Sequence, residues 1–245
     1  MVKLFCAALI IASSVTALSA QQNKPWSEWS KKDVEKTLND SPWAQTQTET
    51  DTSETTYSPT ISQTTTARRE DSRITEAARV ESGAKNSAMS VKFRIRLLSA
   101  KPIREAFARM VMTSQQSPNP QLTEQLQGFV DRDFSEYVVV AVTVEASDQR
   151  YAGPIAQAFN SATADILKNT TYLERKDGKR LFLLDYRPPA SDGMGAKFVF
   201  PRSVEGKSFL SETDSIRFVS EFNEKLKLNA RYKTSDMTYN GKLEY

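Results

Sequence analysis

Asp131, Asp133 and Glu136 fall within six consecutive positions. Carboxylates at that density could bind a hard cation through oxygen ligands, or supply the two acids that flank a glycosidic bond. The spacing of a calcium loop is not met, so the cluster reads as a solvated connection between a helix and a strand. Ser82 and Lys85 form Ser-x-x-Lys, the pattern of a Ser–Lys acyl-transfer site, but its companion motifs are missing. Gly193-Met194-Gly195 follows a Pro-Pro turn and precedes a strand pattern. A phosphate loop needs a third glycine and a helix N-terminus, so that reading fails.

The chain contains no histidine and a single cysteine, Cys6. A Ser-His-Asp triad, a Cys-His dyad and a His-ligated zinc site are all excluded, as is a disulfide within the chain. No catalytic residue, metal ligand or cofactor is assigned. An enzyme built from these residues would be a hydrolase acting through carboxylates alone, and that is the rival to a binding protein. The 33 basic and 30 acidic residues nearly balance, at a net charge of +3, which gives no argument for nucleic acid.

Two residue groups could bind rather than catalyse. Trp26, Trp29 and Trp43 are the three tryptophans of the chain. They are either an aromatic platform for sugars, lipid headgroups or a partner, or a clip whose rings pack onto a folded domain. The clip is expected, because exposed indoles are costly without a partner. Lys225, Lys227, Arg231 and Lys233 line one side of an alternating run, with Lys176, Lys179 and Arg180 around a hairpin signal. They could form a basic face for an anionic envelope polymer or lipid surface, or a solvated face that keeps strands from pairing.

Residues 1–20 open on Met1-Val2-Lys3, run through an apolar core and end on small residues. That is the layout of a cleaved secretory signal, too short to span a bilayer. No later apolar run is long enough to span one. Residues 21–57 form a tryptophan-containing segment with a short helix over 30–39, opened by Ser30 and Asp33 as a capping box. The alternation of Thr46, Thr48, Thr50 and Thr52 suits a polar edge strand. Residues 58–90 are a Ser/Thr-rich linker expected to be disordered, since apolar residues make up only 39% of the chain and few fall there.

Residues 91–245 form the main domain. Tyr137–Glu145, with five valines in nine positions, is a strand buried on both faces. Val91–Leu97 is a half-buried strand. Pro102 opens a helix with Ile103, Phe107, Met110 and Val111 inward, and Asn119 caps a second with Leu122, Leu126, Phe129 and Val130 inward. Gly153-Pro154 opens a third helix with Ile155, Phe159, Ala162 and Ile166 on one face. Strands then follow over 171–176 and 179–186, around the Asp177-Gly178 turn, and over 197–200, 216–222 and 225–233. Met237 to Tyr245 alternates as a closing strand. The fold class is α+β: an antiparallel or mixed sheet carrying a helical hairpin and a third helix.

The runs Trp29-Ser30-Lys31-Lys32-Asp33 and Asn39-Asp40-Ser41-Pro42-Trp43-Ala44 resemble the start of an uncharacterised family of exported bacterial proteins. Leu173-Glu174-Arg175-Lys176-Asp177-Gly178-Lys179-Arg180, Phe200-Pro201-Arg202 and Gly241-Lys242-Leu243-Glu244-Tyr245 are similar to it too. The resemblance implies a secreted or periplasmic location and brings no catalytic residues. The expected function is binding or scaffolding in the bacterial envelope, with an unknown envelope component or protein as partner and no nucleic acid.

Overall fold

A computed structural model describes residues 24–51, 89–115, 119–147 and 149–245. The signal reading of residues 1–20, the Ser82/Lys85 pair and the linker up to residue 88 lie outside them. Met89 and Ser90, placed in the linker from sequence, already belong to a strand.

The architecture is α+β with antiparallel sheets throughout. A five-stranded sheet runs β1 (Ala44–Asp51), β2 (Met89–Leu97), β3 (Tyr137–Ala146), β7 (Ala196–Pro201), β6 (Asp185–Arg187). A four-stranded sheet runs β11 (Lys227–Lys233), β10 (Ser215–Glu221), β4 (Thr171–Arg175), β5 (Arg180–Phe182). The valine-rich run is the central strand of the first sheet. Val138 through Val142 are all buried, as a strand covered on both faces requires.

The two sheets face each other across one core. Phe198 and Phe200 of β7 meet Phe218 of β10 edge-on, with centroids 5.2 and 6.2 Å apart. The sheets are also joined at both sides. On one side the chain bends at Leu183-Leu184 and crosses from sheet to sheet: Leu183 N donates to Thr171 O, and Leu184 N donates to Val199 O. The run over 179–186 is therefore two short strands and not one. On the other side Gln47 of β1 bridges to β11. Its Nε2 donates to Lys227 O at 2.7 Å and its Oε1 accepts from Asn229 N at 2.8 Å. A side-chain amide thus stands in for a peptide group and closes the pair of sheets into a flattened barrel.

The N-terminal segment, expected to precede the domain across a linker, is part of this body. β1 pairs with β2 over its whole length. Helix α1 (Lys31–Asn39) has the expected capping box, with Ser30 Oγ accepting from Asp33 N and Asp33 Oδ2 from Ser30 N. It packs through Val34 and Leu38 against α2 (Lys101–Ser114).

Helix α2 is buried all round its first two turns, Pro102 to Ala108, because α1, α3 (Pro120–Val130) and the sheet enclose it. Its far end frays into solvent, so Met110 is exposed where one face was expected inward. In α3 only Val130 is buried, and Leu122 and Leu126 are half-buried. The third helix, α4 (Gln149–Ser161), contains Pro154 instead of beginning there, and it ends at Ser161, one residue short of Ala162. A separate turn, α5 (Ala164–Leu167), follows, with Leu167 buried and Ile166 63% exposed. A short hairpin pairs β8 (Ser203–Val204) with β9 (Lys207–Ser208), and the tail forms another, β12 (Thr238–Tyr239) with β13 (Lys242–Leu243), in place of a strand closing the sheet.

Tyr232 and Tyr186 are buried and donate their hydroxyls to backbone carbonyls, Ile95 O at 2.9 Å and Phe159 O at 2.6 Å. Burial pushes both hydroxyls, and that of Tyr239, well above the usual tyrosine range. Unfolded tyrosine loses its proton near pH 10, so above that pH the folded chain holds more protons than the unfolded one. This part of the stability is fully present below pH ~10 and is lost as pH rises. Arg96, pushed down to about 10 by burial, and Arg104, also lowered by burial, act in the opposite sense. The three tyrosines outnumber these two arginines, so the net effect is a loss of stability as pH rises above ~10. In an alkaline titration, absorbance at 295 nm should show a cooperative step at the same midpoint as the loss of far-ultraviolet ellipticity. A gradual titration of every tyrosine near pH 10, with ellipticity intact, would contradict these hydroxyl environments.

Candidate functional site

In the four-stranded sheet, side chains alternate between the core and an outer face. Leu226, Leu228, Ala230 and Tyr232 point inward and are buried, while Lys227, Asn229, Arg231 and Lys233 are exposed, as the alternation requires. Register then sets which outer residues meet. Arg231 pairs with Arg217, Arg217 with Glu174, and Glu174 with Arg180. Three guanidinium groups and one carboxylate therefore form a row across four strands, about 14 Å long at the usual strand spacing. The adjacent row is Asn229, Val219, Tyr172, Phe182.

Glu174 partly neutralises the row, at 2.8 Å from Arg180 and 3.8 Å from Arg217. Arg180 lies over the Tyr172 ring at 4.2 Å, and Arg217 Nε donates to Asn229 Oδ1 at 3.0 Å. Lys227 is 3.4 Å from Glu221, with both groups largely in water, so that pair contributes little. Arg231 and Lys233 have no acidic partner among the described residues. Lys225 lies just before β11, in a turn held by Asn223, whose Oδ1 accepts from Lys225 N and Leu226 N. Phe182, in the row next to the arginines, is exposed, as is Leu184 past the corner. The structure thus brings Lys227, Arg231 and Lys233 onto one face with Lys225 at its border. It bears out the place of Arg180 beside them and adds Arg217, Tyr172 and Phe182, which sequence reasoning did not connect to it. The alternation of β10 held the signal for Arg217, but only register could place it beside Arg231.

The tryptophans go elsewhere. Trp29 and Trp43 are 1% and 3% exposed, and Trp26 packs half-buried against the same core. Trp43 Nε1 donates to Glu244 O at 2.8 Å, Trp29 Nε1 donates to Lys24 O at 3.2 Å, and Trp29 O accepts from Arg109 Nε at 2.8 Å. Trp29 and Trp43 present no free ring face, so they cannot form a platform.

The acidic residues before β3 do not converge. Asp131 accepts from Gln127 Nε2 at 2.5 Å and from Lys101 Nζ at 3.2 Å, which hold its carboxyl below the usual range. Asp133 accepts from Ser135 N and Ser135 Oγ, both at 2.8 Å, and Glu136 is exposed. Among the described residues no acidic cluster is arranged to hold a metal ion. Glu105 is the carboxyl that burial raises. It accepts a short hydrogen bond from Tyr239 beneath α2, where it locks the tail hairpin to the helix.

Among the described residues two arginines are buried, Arg96 and Arg104, and neither is paired directly with a carboxylate there. Arg96 Nε donates to Leu38 O at 2.6 Å, near the C-terminal end of α1, and also reaches Asn39 and Thr143. Arg104 Nε donates to Val130 O at 3.0 Å, the last residue of α3, and its Nη1 makes a short bond to Ser99 O. Each guanidinium satisfies carbonyls that a helix end leaves open and sits at the negative pole of the helix dipole. These cations hold the fold together and are not available to a ligand.

Among the described residues no helix is long and apolar enough to cross a membrane. The chain matches no family model, no curated protein and no solved structure.

Proposed function

We propose that the chain is an exported, non-enzymatic binding protein of the bacterial envelope, and that the outer face of β11, β10, β4 and β5 binds an anionic polymer. The observation that carries this reading is the Arg231–Arg217–Glu174–Arg180 row, bordered by the unpaired Lys233 and by exposed Phe182. Guanidinium groups are planar and weakly hydrated, so they suit carboxylate or phosphate oxygens, and the aromatic row beside them offers apolar contact. Export is supported by the basic start, apolar core and small-residue end of residues 1–20, and by the resemblance of the Trp29–Asp33 and Asn39–Ala44 runs. The carboxylate hydrolase is the weaker reading: Asp131 and Asp133 are engaged in local hydrogen bonds, and Glu105 is locked by Tyr239.

The mature protein should be retained on an immobilised polyuronate at 50 mM salt and released by a few hundred millimolar, because exposed charge contacts are screened. The double variant Arg231→Gln/Lys233→Gln should lose about tenfold in affinity with unchanged thermal stability. No retention, or retention indifferent to both salt and the double variant, would sink the polyanion surface. Mass spectrometry of secreted or periplasmic material should show a mature start near Gln21. Intact Met1 in the cytoplasm would sink export.

A further inference from the structure

A cleft of about 410 Å³ lies between the second half of β3, helix α4 and the loop over 188–195. It is separate from the outer sheet face. Its size is that of a small-ligand site. Val142, Val144 and Phe159 supply apolar wall. On the helix side the lining is Ala152 and Ala156, four apart and so on one face of α4. Larger apolar residues there would fill the space against the sheet. The loop side is closed by Gly195, at φ +79°, whose missing β-carbon would stand 2.1 Å from Val142 O. Only glycine allows that approach, so the loop backbone lies directly against the strand and fixes one end of the cleft.

Among the described residues no acidic or basic side chain lines the cleft. The one polar side chain among the described lining residues, Thr143, already accepts through its hydroxyl from Arg96 at 2.9 Å. A charge placed against these residues would find no partner and would be costly, whereas apolar surface is rewarded in proportion to its area. The cleft is open on one side, so only part of a ligand need be apolar. At the Gly195 end, Lys197 Nζ lies 3.3 Å from Gly195 O and 2.7 Å from Asp192, an ion pair beside the apolar lining.

We propose that this cleft seats a linear hydrocarbon chain, such as the acyl chain of a lipid, with the chain along Ala152, Ala156 and Val144 and its polar end outward beside Lys197 and Asp192. The inference is independent of the polyanion surface.

Dodecanol and dodecanoate, titrated calorimetrically into the mature protein below their aggregation limits, test it. Both should bind at one saturable site with similar affinity, because the head stays in water, and with a negative heat-capacity change from apolar burial. Ala156→Phe should lower the affinity for both by about tenfold or more. Ala156 is exposed on the helix, so the variant should keep its thermal midpoint. Gln157→Phe, one position round the helix and outside the lining, should bind like the wild type. Absence of saturable binding would overturn the proposal, as would Ala156→Phe binding unchanged or Gln157→Phe losing as much. If Ala156→Phe fails to fold, Ala152→Phe serves in its place with the same two outcomes.

Discussion

Trp43→Ala is expected to lower the free energy of unfolding by about 3–5 kcal/mol, the usual range for emptying a buried aromatic site. The indole is 3% exposed and meets Tyr239 edge-on with centroids 6.1 Å apart. Its Nε1 donates to Glu244 O across 201 positions of sequence. Removing it leaves a cavity and an unpaired carbonyl in the same place, and it frees the β12–β13 hairpin from the N-terminal segment. Trp43→Phe keeps most of the ring area and loses only the N–H, so it should cost about 1–2 kcal/mol. Urea unfolding followed by ellipticity measures both. The same site should be shielded from a soluble fluorescence quencher without any ligand. Stability near wild type after Trp43→Ala, with loss of polysaccharide retention, would instead mean that the ring serves a ligand.

Arg96→Met should cost about 3–5 kcal/mol, the scale seen when a buried charged group loses its place in a hydrogen-bonded set. Methionine conserves most of the side-chain volume but leaves Leu38 O without its donor, and it removes the charge that meets the negative end of α1. It also gives up the contact with the Phe107 ring, which lies 5.5 Å from the guanidinium carbon. Arg96→Lys keeps the charge but cannot present three N–H groups in a fixed plane to Leu38, Asn39 and Thr143, so it should lose roughly half as much. The opposing consideration is desolvation, which burdens the buried guanidinium and lowers its pKa. If that burden dominated, Arg96→Met would be neutral or stabilising in urea unfolding, and the helix-end account would be wrong.

Features written locally were legible in the sequence. The valine run announced the central strand because β-branched residues seldom continue for nine positions outside a buried sheet. Asp177-Gly178 announced its hairpin because Gly178, at φ +83°, supplies the left-handed position that the turn needs. Ser30 and Asp33 announced a helix start through their own hydrogen bonds. The alternation over 226–233 gave the inner and outer faces of β11.

What depended on distant partners was not legible. Leu183-Leu184 reads as more strand, and only the positions of Thr171 and Val199 make it a corner. Pro154 is a helix opener by preference, yet packing against β3 carries the helix past it. Ile166 and Met110 fit an apolar period, but their helix ends outrun the surface that would cover them. The place of Arg217 in the candidate site escaped for the same reason. Arg231, Arg217 and Arg180 come from three separate strands, and Arg217 looks like an ordinary surface cation until register sets it between the other two.

The Gln47 seam bears on the order in which the molecule can be completed. Its two halves, β1 and β11, are about 180 positions apart in a chain made from its N-terminus, so this closure lies among the slow, long-range contacts. Until Lys227 and Asn229 arrive, β1 presents an unpaired edge to every other chain nearby. Its sequence, Ala-Gln-Thr-Gln-Thr-Glu-Thr-Asp, carries almost no apolar side chain with which a stranger could be held. Polarity in that strand is thus a safeguard during assembly, and Gln47 keeps within it the one side chain that recognises the proper neighbour.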